Sequence, residues 1–313
     1  MERPPPGGST SRRRALATAG SLAVTGALAG CLGGRGTAVS LLSAGSLAST
    51  FERHVGPAFE RETGIDLRGE YHGTNAALRL IEDRTKRPDV VVSADATLLR
   101  DRLYGGFTDW DLEFASNSVG VCYDEATAFG RGLAEGEPWH ELAVGSEPGA
   151  LSIGDPDLDP LGYRAVQAFE LAGREYDRPG LGESLLERVH REPDEPRIVA
   201  GVESGARAAA IVYRNMAVDH GVPFEAFPPA YNFADRALAD HYATATYTTD
   251  EGHTVEGRPV VYNATVLDDA AEPTAGRRLV RFLGEHPGLL DDAGLIVGGD
   301  VPRTAGSAPE GMP

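Results

Sequence analysis

The sequence predicts an α/β fold in which buried strands alternate with amphipathic helices. The run PDVVVS at 88–93 has the continuous apolar character of a parallel strand that is buried on both faces. A similar run at 39–43 is followed by apolar side chains at every fourth position from Leu47 to Phe59, which predicts a helix. This alternation is typical of an open, doubly wound sheet.

The stretch 151–167 carries the clearest candidate for a binding site. Its sequence predicts a strand, then a turn rich in Asp and Pro, then a helix. The free backbone N–H groups at the start of such a helix can bind an anion. Asp159 stands in this turn, directly before Pro160. It is either a ligand or simply the cap of the helix, because Asp before Pro is common at helix starts. The turn alone leaves both interpretations open.

Three more polar residues stand where predicted strands end. Ser46 and Thr74 lie in small-residue turns that lead into helices, where each hydroxyl can cap the helix or donate to a ligand. Tyr213 ends a predicted strand at 208–213, the edge at which open α/β sheets bind ligands. Packing in the core is the alternative for Tyr213.

The charge of the chain excludes partners that need a basic surface. The net charge is −18, and residues 1–30 contain four Arg and one Glu, so the rest of the chain carries −21. We therefore expect no binding to nucleic acid or to anionic membrane through the general field. An acidic surface with a single lysine, Lys86, is typical of proteins adapted to high salt. A small anion would need local positive potential at its site.

The first thirty residues predict an export signal. Consecutive arginines at 12–14 precede a mildly apolar segment at 15–30 that is too short for a stable membrane span, as in a twin-arginine signal. The sequence LAGC at 28–31 resembles a lipobox, so Cys31 is the expected site of lipid attachment, and 31–38 the expected flexible tether. Cys122, in an apolar run, is expected to be an inert core residue. The mature protein should then lie on the extracellular face of the cell membrane, held by its lipid.

Common catalytic and cofactor motifs are missing from the sequence. It contains neither a phosphate-binding P-loop nor a dinucleotide-binding glycine motif, and no H-E-x-x-H zinc motif. We expect no cofactor and no enzymatic activity. The acidic turn with Asp155, Asp157 and Asp159 leaves a secreted carboxylate-metal hydrolase as an alternative, although the ordered ligand spacing of such enzymes is absent.

Several segments in order resemble the substrate-binding proteins of molybdate and tungstate ABC importers, specifically the archaeal type (the ModA/WtpA family). The most specific is D-P-x-x-D-P-x-G-Y-R at 155–164. The others lie at 44–51, 73–74, 89–99, 108–123, 202–218 and 257–266. The resemblance implies a two-lobed type II periplasmic-binding-protein fold, in which each lobe is a mostly parallel sheet flanked by helices and two crossover strands join the lobes. The corresponding division is 39–115 plus 246–302 for lobe 1, 116–245 for lobe 2 and 303–313 for a disordered tail.

The resemblance also implies a set of ligands for one oxyanion. The family closes over the anion with hydroxyl and backbone N–H groups, and its archaeal branch adds two carboxylates that complete an octahedral metal centre. By matching position, the ligands are Ser46, Thr74, Asp159, the backbone N–H of Leu161 and Tyr213. Thr74 stands where the family usually has Ser, and it keeps the hydroxyl.

The second carboxylate is assigned from helix geometry. Glu195 lies at the predicted start of a helix, whereas Glu203 is eight residues further on, or about 12 Å along the axis. We therefore prefer Glu195 and keep Glu203 and Asp155 in reserve. Carboxylates suit a hard, expandable Mo or W centre and repel sulfate or phosphate.

The predicted function is that of a monomeric receptor that delivers molybdate or tungstate to a permease and its ATPase. A sulfate or phosphate receptor is the alternative within the same class.

Overall fold

The computed structural model describes residues 36–193 and 195–313. The predicted export signal, Cys31 and most of the tether lie outside the described residues, as does Asp194. The strands are β1 Ala38–Ala44, β2 Asp66–His72, β3 Val90–Ser93, β4 Trp110–Ser116, β5 Val119–Tyr123, β6 Leu151–Gly154, β7 His190–Glu192, β8 Ala209–Tyr213, β9 Phe224–Ala226, β10 Thr246–Thr248, β11 Thr254–Glu256, β12 Val261–Val266 and β13 Arg303–Gly306.

Helices cover both sheets. The helices are α1 Gly56–Thr63, α2 Thr74–Glu82, α3 Ala96–Leu103, α4 Ala128–Ala134, α5 Trp139–Gly145, α6 Pro160–Glu175, α7 Leu181–Leu186, α8 Glu195–Glu203, α9 Arg214–His220, α10 Ala239–Tyr242, α11 Pro273–Glu285 and α12 Pro287–Asp292. Of these, α2, α6 and α8 begin at the turns with Thr74, Asp159 and Glu195 that the sequence predicts. Short 3-10 turns lie at Gly45–Leu47 and Arg236–Leu238, and Thr50–Val55 is π-helical.

The strands form two larger sheets and one hairpin. Sheet I has the order β13-β4-β12-β3-β1-β2, sheet II has the order β7-β6-β8-β5-β9, and β10 pairs with β11 in the hairpin. The α/β class is confirmed, but the expectation of mostly parallel sheets is wrong. In sheet I, β1 is parallel to β2 and β3, whereas β12 is antiparallel to β3 and β4. The reason is that β4 carries the chain out of sheet I and β12 brings it back, so the two neighbours run in opposite directions.

The two connections between the sheets differ in length. Only Asn117 and Ser118 separate β4 from β5, so the first is a direct crossover. The return from β9 to β12 passes through α10 and the hairpin, and it is a longer connection than the predicted crossover strand. Gly36–Pro313 forms one compact unit, so the predicted lobe boundaries at 116 and 246 remain a prediction.

The last residues differ from the disordered tail predicted for 303–313. Arg303–Gly306 forms β13, which pairs antiparallel with β4 at the edge of sheet I. Arg303 donates to the buried carboxylate of Glu113 on β4 at 3.0 Å, which the local sequence does not reveal. The cause of the error is therefore non-local pairing of a small, polar segment.

The core positions largely follow the apolar pattern. The four side chains from Leu47 to Phe59 are buried, and Phe59 packs edge-on against Phe282 of α11 at 5.4 Å between ring centroids. Cys122 is fully buried, and burial raises the pKa of its thiol to about 12, as expected of an inert core residue. Within 36–193 and 195–313, no helix has the length and apolar character needed to cross a membrane.

Candidate functional site

Asp159 occupies the helix start that the sequence predicts. It precedes the first residue of α6, its Oδ1 accepts a hydrogen bond from the Gly162 N–H at 2.8 Å, and it is 1% exposed. The surroundings are tight. A Cβ at Gly154 would lie 2.8 Å from Oδ2, and a Cβ at Gly73 would lie 2.7 Å from the Asp159 Cβ. The capping role is therefore present, and the turn before α2 closes directly over this carboxyl group.

The electrostatic environment of Asp159 is unusual for a simple cap. Burial raises its pKa from an ordinary 3.8 to about 7, and the neighbouring Asp155 charge acts in the same direction. The backbone N–H groups of Gly162 and Leu161 and the charge of Arg164 oppose this shift. An exposed cap would not carry this cost, and buried carboxyl groups with a raised pKa are candidates for a functional site.

Glu195 is the second buried carboxylate of the same region. It is the first residue of α8 and is 1% exposed, and its Oε2 accepts the Ser46 N–H at 2.7 Å. A Cβ at Gly45 would lie 2.7 Å from Oε2, so the glycine permits this approach. Glu195 thus joins α8, which flanks sheet II, to the turn after β1 in sheet I.

The two reserve residues, Glu203 and Asp155, are less buried than Asp159 and Glu195. Glu203 ends α8, its side chain is 42% exposed, and it pairs with His220 Nδ1 at 3.1 Å. It does not join the buried carboxylates. Asp155 is half-buried, and its Oδ1 accepts the Asp157 N–H at 3.0 Å, which fixes the turn before α6.

The predicted hydroxyl residue Ser46 is fixed by a small polar network. Its carbonyl accepts a hydrogen bond from Asn215 Nδ2 at 2.7 Å, and its hydroxyl accepts one from Tyr262 at 3.3 Å. Asn117 Nδ2 donates to Asn215 Oδ1 at 2.8 Å and to the Tyr262 hydroxyl at 3.2 Å. All four side chains are buried. We did not predict Asn117, Asn215 or Tyr262, and no local pattern in the sequence marks the two asparagines as site residues.

Thr74 and Leu161 lie at the first turns of two helices. Thr74 begins α2, and its hydroxyl accepts the Ala94 N–H at 3.1 Å. Leu161 is the second residue of α6 and is fully buried. Both residues therefore place helix N-termini beside the Asp159 carboxyl group.

Tyr213 is paired with an arginine to which the sequence interpretation gave no role. Tyr213 ends β8 and is fully buried, and its hydroxyl accepts a hydrogen bond from Arg164 Nη1 at 2.7 Å. Arg164 Nη1 also donates to the Ala94 carbonyl at 3.1 Å, and Nη2 donates to Asp95 Oδ2 at 2.9 Å. Burial raises the pKa of Tyr213 well above its ordinary value, so the phenol keeps its proton. The signal for Arg164 was its place in the 155–164 motif.

A chain of contacts brings the six predicted residues together. Tyr262 contacts Ser46, and its ring lies 6.1 Å from that of Tyr213. Ala94 contacts both Arg164 and Thr74. These contacts form a chain that links two buried carboxylates and several hydroxyl groups with three helix starts and one buried cation. Such a set can hold an anion whose central atom also accepts carboxylate oxygens.

A cleft of about 870 Å³ adjoins this cluster. It lies between α2, the turn before α6 and the β10–β11 hairpin, and Asn75 and Asp95 are among its lining residues. The hairpin is tied to both sides, because Asp157 Oδ1 accepts the Asp250 N–H at 2.9 Å and Glu251 pairs with Arg79 at 2.8 Å. The cleft opens beside the cluster, where Leu158 and Asp95 line it, but none of the six predicted ligand residues does.

The hydrolase alternative finds little support in the acidic turn. The three carboxylates are occupied in different ways: Asp155 fixes its turn, Asp157 accepts from the hairpin, and Asp159 caps α6. In the described part of the chain, no group of three or more His, Cys, Asp or Glu side chains is arranged to hold a metal ion.

Comparison with known proteins defines the family. The family model for bacterial extracellular solute-binding proteins matches residues 39–288. The chain belongs to this family. An uncharacterised solute-binding protein of Halobacterium salinarum is 51% identical over 302 residues, covering 96% of this chain and 97% of that protein.

Two further relatives of this solute-binding protein carry names that state a ligand. A putative ABC transporter molybdenum-binding protein of Haloferax volcanii is 38% identical, covering 95% of this chain and 98% of that protein. The molybdate/tungstate-binding protein WtpA of Pyrococcus abyssi is 28% identical, covering 86% and 88%. The periplasmic molybdate-binding protein of Azotobacter vinelandii shares the fold with a TM-score of 0.58 at 14% identity, covering 84% of this chain and 100% of that chain.

Proposed function

We propose that this protein is the extracellular solute-binding component of an ABC importer and that it captures molybdate or tungstate. The observation that carries the proposal is the pair of buried carboxylates, Asp159 and Glu195, placed at the starts of α6 and α8. The names of the Haloferax and Pyrococcus relatives support the same ligand class.

The chemistry of the two carboxylates decides between oxyanions. Mo(VI) and W(VI) are hard centres that can accept oxygen ligands beyond the four of the free anion. Asp159 and Glu195 would supply those oxygens and convert a tetrahedral anion into an octahedral centre. Sulfate and phosphate cannot expand in this way, so they would meet the same carboxylates as repulsion.

Positive potential for the anion comes from local groups, since the chain as a whole carries −18. The first turns of α2, α6 and α8 present backbone N–H groups, and Thr74 and Ser46 add hydroxyls. The guanidinium of Arg164 is buried nearby, and its pKa stays above its ordinary value despite burial because of Tyr213, Tyr163 and Asp95. These groups offset the charge of the ligand and the carboxylates.

The location of the protein is also part of the proposal. Export by a twin-arginine signal and lipid attachment at Cys31 would hold a monomeric receptor outside the cell, close to its permease and ATPase. These residues lie outside the described part of the chain. Mass spectrometry of the protein from host membranes tests this step, and a mature chain that begins at lipidated Cys31 is the expected result.

Calorimetric titration in molar KCl tests the ligand class. Wild-type protein should bind tungstate and molybdate at least a hundredfold more tightly than sulfate. Glu195→Gln keeps an acceptor for the Ser46 N–H but removes the charge. It should therefore weaken tungstate binding at least tenfold and reduce the difference in affinity between tungstate and sulfate. Glu203→Gln is the matched control on the same helix and should bind like the wild type.

Equal affinity for sulfate and tungstate in the wild type would contradict the proposal and favour a general oxyanion receptor. A tightly held divalent cation together with hydrolytic turnover would favour the hydrolase instead.

A further inference from the structure

We propose that Arg164 is a positioning residue that orients the Tyr213 hydroxyl so that it donates a hydrogen bond to the bound anion. This inference rests on the proposed function, since it needs an oxyanion beside Tyr213.

The hydrogen bond to Tyr213 has only one possible direction. A guanidinium has donors and no acceptor, so Arg164 Nη1 donates and the Tyr213 oxygen accepts at 2.7 Å. The proton of the Tyr213 hydroxyl is therefore not used by Arg164. A phenol with its ordinary pKa of about 10 is protonated at neutral pH, so the Tyr213 O–H is available to donate to an anion oxygen.

The guanidinium of Arg164 also contacts residues on the opposite side of the site. Arg164 belongs to α6 beside sheet II, whereas Ala94 and Asp95 directly follow β3 of sheet I. Nη1 donates to the Ala94 carbonyl and Nη2 to Asp95 Oδ2, and the Tyr163 hydroxyl donates to the same Oδ2 at 2.8 Å. The orientation of the guanidinium, and through it that of Tyr213, thus depends on the contact between the two sides.

The anchor on the opposite side is itself rigid. Asp95 caps α3, where its Oδ1 accepts the N–H groups of Thr97 and Leu98 at 3.1 Å. Asp95 and Arg164 are both almost fully buried, so their ion pair is shielded from water. The planar guanidinium fork of Arg164 donates to three acceptors at once, on Ala94, Tyr213 and Asp95. The single ammonium group of lysine cannot reproduce this geometry.

A double-mutant cycle tests the inference, with tungstate titrated in molar KCl. Arg164→Lys keeps the charge but breaks the fork, and it should weaken tungstate binding at least tenfold. Tyr213→Phe should have a similar effect. The double variant should bind about as weakly as either single variant, because Arg164 acts through the Tyr213 hydroxyl. Arg174→Lys, on the exposed face of the same helix, is the matched control and should bind like the wild type.

The possible outcomes separate the alternatives. If Arg164→Lys binds tungstate with wild-type affinity, only the charge of Arg164 matters. If the loss of affinity in the double variant equals the product of the losses in the two single variants, Arg164 has a purely structural role. Either result overturns the inference. If Arg164→Lys does not fold, a crystal structure of the wild type with tungstate decides. Tyr213 should then contact both Arg164 and a tungstate oxygen, and loss of either contact overturns the inference. Failure of the wild type to bind tungstate at all would instead refute the proposed function.

Discussion

Replacing Asp159 by Asn should make the empty protein more stable and the liganded protein weaker. Asn caps helices about as well as Asp, so the hydrogen bond from Gly162 is retained. The substitution removes only the buried charge. A cap without a buried charge would leave the stability nearly unchanged, because Asn caps equally well.

The magnitude follows from the pKa of Asp159. The carboxyl group ionises at 3.8 in the unfolded chain and at about 7 in the folded protein. A tenfold change in an ionisation constant is worth ~1.4 kcal/mol, so the ionised form costs the folded state on the order of 4 kcal/mol.

The sign of the pH dependence is fixed by proton counting. Between pH 4 and pH 7 the folded state keeps a proton that the unfolded state has released, so the free energy of unfolding falls as the pH rises. The cost is complete above pH 7 and absent below pH 4. Asp159→Asn should therefore raise the free energy of unfolding by up to about 4 kcal/mol at pH 8 and leave it nearly unchanged at pH 4.

Denaturant unfolding of the ligand-free protein at these two pH values, in molar KCl, measures the effect. Asp235→Asn is the control, because Asp235 caps an exposed 3-10 turn through the Ala237 N–H and carries no buried charge. It should change stability by less than ~0.5 kcal/mol at both pH values. Tungstate titration of Asp159→Asn should show at least a tenfold loss of affinity. Lower stability of Asp159→Asn at both pH values, with tungstate affinity intact, would refute the reasoning.

Three further expectations follow from the same geometry. Because Asp159 must be ionised to bind a metal centre, the tungstate affinity of the wild type should fall about tenfold for each pH unit below 7. Titrations from pH 8 to pH 6 should show no such pH dependence of affinity in Asp159→Asn. Gly73→Ala would place a Cβ 2.5 Å from the Leu158 carbonyl oxygen and should weaken tungstate binding at least tenfold. Gly288→Ala is the control, because its Cβ would lie in open space, and it should bind tungstate like the wild type. Equal affinities of the two variants would show that the turn before α2 does not close on the ligand. The Cys122 thiol should resist alkylation in the folded protein and react only after unfolding, which mass spectrometry after timed labelling can follow.

The sequence was most informative where structure is local. The strand-turn-helix at 151–167 is present as β6 and α6, because apolar spacing and the Asp-Pro start are properties of neighbouring residues. The preference for Glu195 over Glu203 also rested on local helix geometry, and the structure buries the first and exposes the second.

The rest of the site depends on contacts between distant parts of the chain. Arg164 meets Asp95 across 69 positions, and Tyr262 meets Ser46 across 216. No local pattern encodes such pairs. The same holds for β13, whose small polar residues become a strand only because β4 offers a free edge.

The most direct test of the central claim is X-ray absorption at the tungsten edge of the tungstate complex, compared with free tungstate in the same buffer. The account predicts an octahedral oxygen shell in the complex, with two longer tungsten–oxygen distances that are lost in the Asp159→Asn, Glu195→Gln double variant. A tetrahedral shell identical to that of free tungstate would contradict it.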